Sequence, residues 1–338
     1  MKCFLKYCLL FSLPFGLLIV WYVLLDPFKV IWQYEVYYEP GDFVGINRGY
    51  VSTMHYVNHK DIYHFDSFVF GNSRSIAFYE EEWRKYLSKS SVCYHFDESG
   101  GSVGGIFYKI RYINKNGYLK NALLVVDYQL LSRNEQNGHL SFLPPILKDY
   151  QNIFAFHREN FSAFYDLEFL RAFIDYKFSH VYKPYMGNLI LKSPEDKRNY
   201  NPVNNERLSW WRNEESIKRG EYYDEDYIKI FEGKQFPDSV ANVVINEERT
   251  EMLKAIKEIF NQQNTNYKIV ISPLYNQIKL NPIDLQTLYD VFGKDNVFDF
   301  SGVNQWNKDY HNYYEDSHYR PCVANEIMKI VYNNGFQQ

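Results

Sequence analysis

Short apolar runs alternate with amphipathic segments along most of this chain. The apolar runs are rich in β-branched and aromatic residues and end at Gly, Asp or Ser, a pattern that is typical of buried strands. The segments between them repeat apolar residues at helical spacing. Strands are therefore predicted at 67–71, 92–96, 122–126, 267–271 and 296–300, and helices at 76–87, 104–113, 247–260, 285–292 and 324–332.

Strands that alternate with helices, and that are apolar almost throughout, indicate a parallel sheet covered on both faces. We therefore expect an α/β fold, a three-layer α/β/α sandwich with a central parallel sheet. Residues 131–240 break the alternation with amphipathic stretches at 153–164 and 167–176 and a polar region that contains Trp210 and Trp211. This segment is predicted to be a helical and loop insertion over the carboxyl ends of the strands, where open α/β sheets bind ligands.

The N-terminal region carries a run without charge from Tyr7 to Leu25. A helix needs about 20 apolar residues to cross a hydrocarbon core about 30 Å thick. Lys2 and Lys6 precede the run and mostly acidic residues follow it, so the positive-inside bias places the N-terminus in the cytoplasm. A cleaved signal peptide is the rival interpretation, but the run is long and offers no small-residue cleavage site. We expect a retained membrane anchor at 1–25, an extended segment at 26–65 and an extracytoplasmic domain at 66–335.

Composition narrows the function classes. Hydrophobic residues are 46% and aromatic residues 19% of the chain, which excludes a disordered protein, and a net charge of −4 gives no basic surface for nucleic acid. Cys93 and Cys322 would lie outside the membrane, either as a disulfide or as two free thiols. His55 and His59 have no carboxylate or cysteine beside them in a metal-binding pattern, so no metal site is predicted.

Gly71-Asn72-Ser73-Arg74 directly follows the first predicted strand. Glycine permits a tight exit from the strand, and a serine at the next helix N-terminus places its oxygen beside unpaired backbone N–H groups that could hold an oxyanion. Serine is also a favoured helix cap, so an ordinary N-cap is the alternative interpretation.

Near the C-terminus, Glu315 and Asp316 precede His318 by three and two positions. A serine hydroxyl needs a base within hydrogen-bond reach, and an imidazole serves best when a carboxylate fixes its tautomer and orientation. Together with Ser73, the segment supplies the residues of a hydrolase site in the order serine, acid, histidine. The alternative is a solvated polar turn before the last helix.

These two segments resemble the first and last blocks of the SGNH (GDSL-like) hydrolase superfamily, and the resemblance covers 66–335. It implies a flavodoxin-like fold, with Ser73 as the nucleophile and His318 as the general base. The family places its acid three residues before the histidine, which here falls on Glu315 instead of an aspartate. Asp316 is the alternative acid.

The middle blocks of the family supply the oxyanion hole. The resemblance implies backbone N–H donors from Ser73 and from Gly101 or Gly100. The family's third block supplies an asparagine side chain, but here the third strand is followed by Asp127. Three alternatives remain open: Asp127 fills the place with another role, Gln129 or an insertion residue substitutes, or the hole has backbone donors alone.

Membrane-anchored members of the superfamily with this outline include the D-alanylation protein of teichoic acid synthesis and acetylation proteins of exported polysaccharides. The resemblance implies an esterase or acyltransferase without a cofactor, acting on cell-envelope glycan beside a membrane-bound O-acyltransferase. Trp210 and Trp211 could stack on sugar rings or be plain core residues. A weakly catalytic glycan- or partner-binding protein, and a structural envelope protein in which Ser73 is only a cap, are the other hypotheses.

Overall fold

The computed structural model describes residues 2–135 and 138–333, without the side chains at positions 2, 3, 5, 6, 8–10 and 333. Within these residues the chain forms a five-stranded sheet in the order β2-β1-β3-β4-β5, and every neighbouring pair is parallel. The α/β class and the parallel sheet are thus confirmed. The strands are β1 Ser67–Gly71, β2 Cys93–Asp97, β3 Asn121–Val126, β4 Asn266–Ile271 and β5 Val297–Asp299.

Helices connect the strands and build the insertion. Those that belong to the sheet layers are α3 Glu80–Arg84, α4 Val103–Asn116, α5 Tyr128–Ser132, α10 Glu247–Gln263, α11 Pro282–Phe292 and α12 Pro321–Asn333. The N-terminal region forms α1 Lys2–Leu25 and α2 Arg48–Tyr63, and the insertion contains α6 Ile153–Phe164, α7 Leu167–Ser179, α8 Trp211–Lys218 and α9 Glu225–Ile228. Short 3-10 turns lie at Ser73–Ala77, Pro145–Lys148, Pro184–Met186, Lys197–Asn199, Lys229–Phe231, Lys294–Asn296 and Tyr310–Asn312.

Both faces of the sheet are buried. Because side chains alternate along a strand, Phe68 and Phe70 pack in a cluster with α4, α10 and α11, whereas Val69 packs on the opposite face with α12. This arrangement explains why the strands read as continuous apolar runs. β1 lies between β2 and β3, so the strand order reverses beside β1, and the loops after β1 and β3 flank the crevice where such sheets bind ligands.

The structure differs from the expected extended segment at 26–65, because this segment contains α2. Asn47 caps the helix by accepting a hydrogen bond from the backbone N–H of Tyr50 at 3.0 Å. The buried side of α2 includes polar residues such as Ser52 and His55, so the helical pattern of apolar residues is weak. Arg48 at its start forms a buried ion pair with Asp97 at 2.7 Å.

The predicted helix at 76–87 is also replaced by shorter elements. Asn72 accepts a hydrogen bond from the backbone N–H of Arg74 and opens a 3-10 turn that ends at Ala77. The chain then leaves helical geometry at Phe78 and resumes it in the single turn of α3. Cys93 is buried in β2 and Cys322 is exposed on α12, and both are free thiols.

A third apolar cluster joins the N-terminal region to the insertion. The rings of Phe15 and Tyr22 on α1 contact Phe161 on α6, with centroids 5.8 and 5.4 Å apart. The inner side of α7 packs in the same cluster through Phe169 and Phe173. Among the residues whose side chains the structure describes, which leave out positions 2, 3, 5, 6 and 8–10 of α1, no helix combines the length and the apolarity needed to cross a membrane.

Candidate active site

Ser73 lies where the chain leaves β1. A Cβ atom at Gly71 would stand 2.6 Å from the carbonyl oxygen of Val125, so only glycine allows this close exit between β1 and β3. Ser73 then begins the 3-10 turn and is partly exposed. Within the described chain its backbone N–H has no hydrogen-bond acceptor. The strand therefore presents both the hydroxyl and a free N–H at the carboxyl edge of the sheet.

His318 lies on a tight hairpin before α12. Tyr313 and Tyr319 form an antiparallel bridge, and the backbone N–H of Tyr314 donates to the carbonyl of His318 at 2.9 Å. The buried hydroxyl of Tyr313 donates to the carbonyl of Pro273, just beyond β4, at 2.6 Å. The hairpin is thus fixed to the same sheet edge that carries Ser73.

The three residues form one hydrogen-bonded chain. His318 Nε2 lies 2.7 Å from Ser73 Oγ, and His318 Nδ1 is hydrogen-bonded to Glu315 Oε1. When Glu315 accepts from Nδ1–H, Nε2 is left as the acceptor for the serine proton. The side chains of His318 and Glu315 are 24% and 30% exposed, so the site is open to a substrate.

Asp316, the alternative acid, points elsewhere. Its carboxylate lies 3.7 Å from the ammonium of Lys234 and is partly exposed. The hairpin therefore brings Glu315, and not Asp316, to the imidazole. A spacing of three residues lets the acid fold back over the turn onto His318.

Asp127, directly after β3, is buried beside the turn that carries Ser73. Its Oδ2 accepts from Asn72 Nδ2 at 2.8 Å and from Arg74 Nη1 at 2.9 Å, while Oδ1 accepts from the backbone N–H groups of Gln129 and Leu130, both at 2.9 Å. A carboxylate cannot donate to an oxyanion at neutral pH. Asp127 instead supports the residues on either side of Ser73 and caps α5.

Arg74 links this support to the histidine hairpin. Its Nε donates to the carbonyl of Ser317 at 3.0 Å, and its Nη2 donates to Ser317 Oγ at 3.0 Å and to Gln129 Oε1 at 2.7 Å. Gln129 thus uses its amide oxygen on Arg74. The guanidinium spans the serine turn, the end of β3 and the histidine hairpin, so it fixes their relative positions.

Gly100 and Gly101 lie in the loop between β2 and α4. The backbone N–H of Glu98, at the start of this loop, donates to the carbonyl of Gly71 at 3.1 Å, which places the loop beside the exit of β1. Gly101 packs against Glu98, and the carbonyl of Gly100 accepts from Arg133 at 2.8 Å. In the described part of the chain no hydrogen bond joins either glycine to Ser73.

The insertion packs directly on the histidine hairpin. The ring of Trp210 lies 5.4 Å from the His318 ring and 4.9 Å from the Tyr314 ring. Glu214 on α8 accepts from Tyr314 Oη at 2.7 Å and forms a two-point ion pair with Arg320 at 2.9 and 2.8 Å. Burial alone would raise the pKa of Glu214, but its hydrogen bonds from Arg320 and Tyr314 hold the pKa below its ordinary value.

Trp211 has a different role from its neighbour. Arg198 stacks on its ring at 3.4 Å, and its indole N–H donates to Asn199 at 2.8 Å. Trp210 is thus the tryptophan beside His318, and Trp211 packs within the insertion. The sequence alone did not predict the supporting roles of Arg74, Glu214 and Arg320, because their partners lie far away along the chain.

No protein-family model, curated protein or solved structure matches this chain. Function is therefore inferred from the geometry of the site. That geometry places a serine hydroxyl, an imidazole and a carboxylate in line at the carboxyl edge of a parallel sheet.

Proposed function

We propose that this chain is a serine esterase or O-acyltransferase that uses Ser73, His318 and Glu315. The single observation that carries the proposal is the hydrogen-bonded chain from Ser73 Oγ through His318 to Glu315. Partly exposed serine, histidine and carboxylate side chains in this arrangement are what nucleophilic acyl transfer requires.

The proposed reaction has two halves. Ser73 Oγ attacks the ester carbonyl while His318 Nε2 takes the hydroxyl proton, and the resulting tetrahedral oxyanion accepts from the backbone N–H of Ser73. His318 then returns the proton to the leaving alcohol, which yields an acyl-serine. Water or an acceptor hydroxyl, deprotonated by His318, then attacks the acyl-serine, and His318 returns that proton to Ser73 Oγ as the serine leaves. Glu315 holds the imidazole in the required tautomer throughout.

The fold supports assignment to an SGNH-like architecture. The strand order β2-β1-β3-β4-β5 is the order of flavodoxin-like sheets, and Ser73 follows β1 beside the point where the order reverses. The acid and the base precede the last helix, as the family pattern requires. Gly101 or Gly100 would add an oxyanion donor after a shift of the loop between β2 and α4.

We further propose that α1 anchors the domain outside the membrane. The helix has 24 residues, and aromatic and aliphatic side chains such as Phe4, Phe11 and Leu24 are exposed along its length. Exposed apolar surface of this extent is what lipid would cover. Lys2 and Lys6 before the uncharged run favour a cytoplasmic N-terminus.

An extracytoplasmic acyl-ester site that is held at the membrane is suited to envelope glycan as substrate. By resemblance, a membrane-bound O-acyltransferase would be the partner that delivers the acyl group. Trp210 beside His318 offers a flat apolar ring near the reacting atoms, which suits the face of a sugar.

The proposal is tested by turnover of an acetylated glycan oligosaccharide and of a small acetyl ester. Wild-type protein should hydrolyse or transfer the acetyl group, and Ser73→Ala and His318→Ala should each abolish the activity while the melting temperature stays nearly unchanged. Activity retained in Ser73→Ala would refute the assignment.

A second candidate function is glycan or partner binding with weak catalysis. It is favoured by Asp127, which follows β3 where the SGNH pattern has an asparagine, and whose carboxylate already accepts four hydrogen bonds. Losing one oxyanion donor costs about 2.7–4 kcal/mol of transition-state stabilisation. Glycan binding by an inactive wild-type protein, undiminished in Ser73→Ala, would support this candidate.

A further inference from the structure

An apolar stripe runs along the outer side of α7. Leu167, Ile174 and Phe178 are 81%, 40% and 83% exposed. They are spaced by seven and four residues, so they share one side of the helix. The opposite side of α7 is buried in the protein through Phe169, Ala172, Phe173 and Tyr176. A helix that is apolar on both sides requires a second apolar neighbour.

The position of α1 identifies that neighbour. Trp21 contacts Phe164, with ring centroids 5.5 Å apart, and α7 begins at Leu167 shortly after this contact. Trp and Tyr residues favour the boundary between hydrocarbon and headgroups, which places the partly exposed Trp21 at that level. The α1 contact with α6 continues from Tyr22 to Phe15, about 10 Å further along the helix.

The start of α7, three residues after Phe164, therefore lies close to the level of Trp21, where a surface-bound helix would lie. Amphipathic helices that lie on a bilayer bury their apolar side about 5–10 Å below the headgroups. The charged residues of α7 agree with this position. Arg171 and Lys177 are exposed beside the stripe, where they can reach anionic headgroups, whereas Asp175 is paired with Lys183 at 2.7 Å. Glu168 is the remaining acidic residue of the helix and is exposed.

We propose that α7 lies in the outer membrane–water interface with Leu167, Ile174 and Phe178 inserted among the lipids. The inference rests on the proposed membrane attachment through α1. Two contacts with the bilayer, α1 and the stripe, hold the domain in one orientation, since a single helix would leave it free to rotate. The histidine hairpin then stays at a constant height above the membrane, as acyl transfer from a membrane-bound donor requires.

The test uses the full chain reconstituted in phosphatidylcholine and phosphatidylglycerol vesicles that contain a phospholipid with a photoactivatable acyl chain. After irradiation and proteolysis, mass spectrometry should find lipid adducts on the α1 and α7 peptides. The double variant Ile174→Glu with Phe178→Glu should lose the α7 adducts and keep those on α1, with an unchanged melting temperature because both residues are exposed. The matched control Ile283→Glu, at an exposed apolar residue of α11, should leave both sets of adducts unchanged.

The outcomes separate this inference from the anchor proposal. Adducts on α1 without adducts on α7 would overturn the inference and leave the anchor intact. Adducts on α7 alone would support the stripe and refute α1 as the anchor, and adducts on neither would overturn both. If α7 carries no adducts, and the wild-type protein is a dimer that becomes monomeric in the double variant, then the stripe contacts a second copy of the chain and the inference is overturned.

Discussion

Replacing Glu315 by glutamine removes the negative charge behind His318 and keeps the shape of the side chain. In a buried serine-histidine-aspartate triad the equivalent change lowers kcat by about 10⁴-fold, because the amide favours the wrong imidazole tautomer. Here the Glu315 side chain is 30% exposed, so the amide can rotate its oxygen toward Nδ1 and water can screen the lost charge. We therefore expect a smaller loss, about 10²–10³-fold, which corresponds to about 3–4 kcal/mol of transition-state stabilisation.

Asp316→Asn is the matched control. Its carboxylate pairs with Lys234 at 3.7 Å near the surface, and a pair of this kind contributes about 0–1 kcal/mol. This variant should change turnover less than about fivefold, which is the change that 1 kcal/mol would give. The two substitutions are adjacent in sequence and remove the same charge, so non-specific electrostatic effects are matched.

The assay is kcat/KM for a chromogenic acetyl ester, with Ser73→Ala as the baseline. A larger loss in Asp316→Asn would move the acid to Asp316 and would contradict the hairpin geometry. Equal small losses in both variants would show that Ser73 and His318 work without an orienting carboxylate.

Three further substitutions test the buried ionisable residues Asp127, Arg48 and Glu206. Asp127→Asn should lower the free energy of unfolding, measured in urea, by about 1–3 kcal/mol, because the amide N–H₂ group would face the N–H donors of Asn72 and Arg74. Ester turnover should not rise; higher turnover would mean that the amide enters the oxyanion hole. Arg48→Ala should cost about 3–5 kcal/mol because Asp97 stays buried without its partner, and a loss below 1 kcal/mol would contradict the ion-pair argument. Burial raises the pKa of Glu206 to about 7, so the wild-type protein loses stability as pH rises from about 4.5 to 7. The free energy of unfolding of Glu206→Gln relative to wild type should therefore grow by about 2–3 kcal/mol between pH 5 and 8. A difference that stays constant with pH would contradict the raised pKa.

The strands could be predicted closely from the sequence. Buried parallel strands carry apolar residues on both faces, so their pattern is strong, and β1 has the predicted bounds Ser67–Gly71. The helix α6 likewise has the predicted bounds Ile153–Phe164. Local pattern suffices where burial of apolar side chains decides the structure.

Helices whose buried side is polar could not be predicted in this way. α2 buries Ser52, Thr53 and His55 because it packs on the loop and strand around Asp97, and Ser52 Oγ donates to the carbonyl of Asp97 at 2.8 Å. These partners are distant from α2 in sequence, so a pattern read over neighbouring residues cannot detect them. The turn after Ser73 is similar, because Asn72 is held by Asp127, which follows β3.

The candidate site could be predicted only in part. The residues Ser73, Glu315 and His318 have a local signature, and the sheet brings them together because β1 and the hairpin before α12 meet at one edge. The role of Asp127 could not be read from its sequence position, since it follows from contacts with Asn72 and Arg74. The packing of Trp210 on His318 follows from the insertion, whose course no motif encodes.

The most direct test of the central claim is covalent labelling of the full-length protein with a fluorophosphonate probe. Such a probe reacts with a serine only when a nearby base activates its hydroxyl, which is the property that the contact between His318 Nε2 and Ser73 Oγ predicts. Mass spectrometry should find a single adduct on Ser73, and His318→Ala should abolish it without loss of folding. An adduct on another serine, or undiminished labelling in Ser73→Ala, would contradict the account.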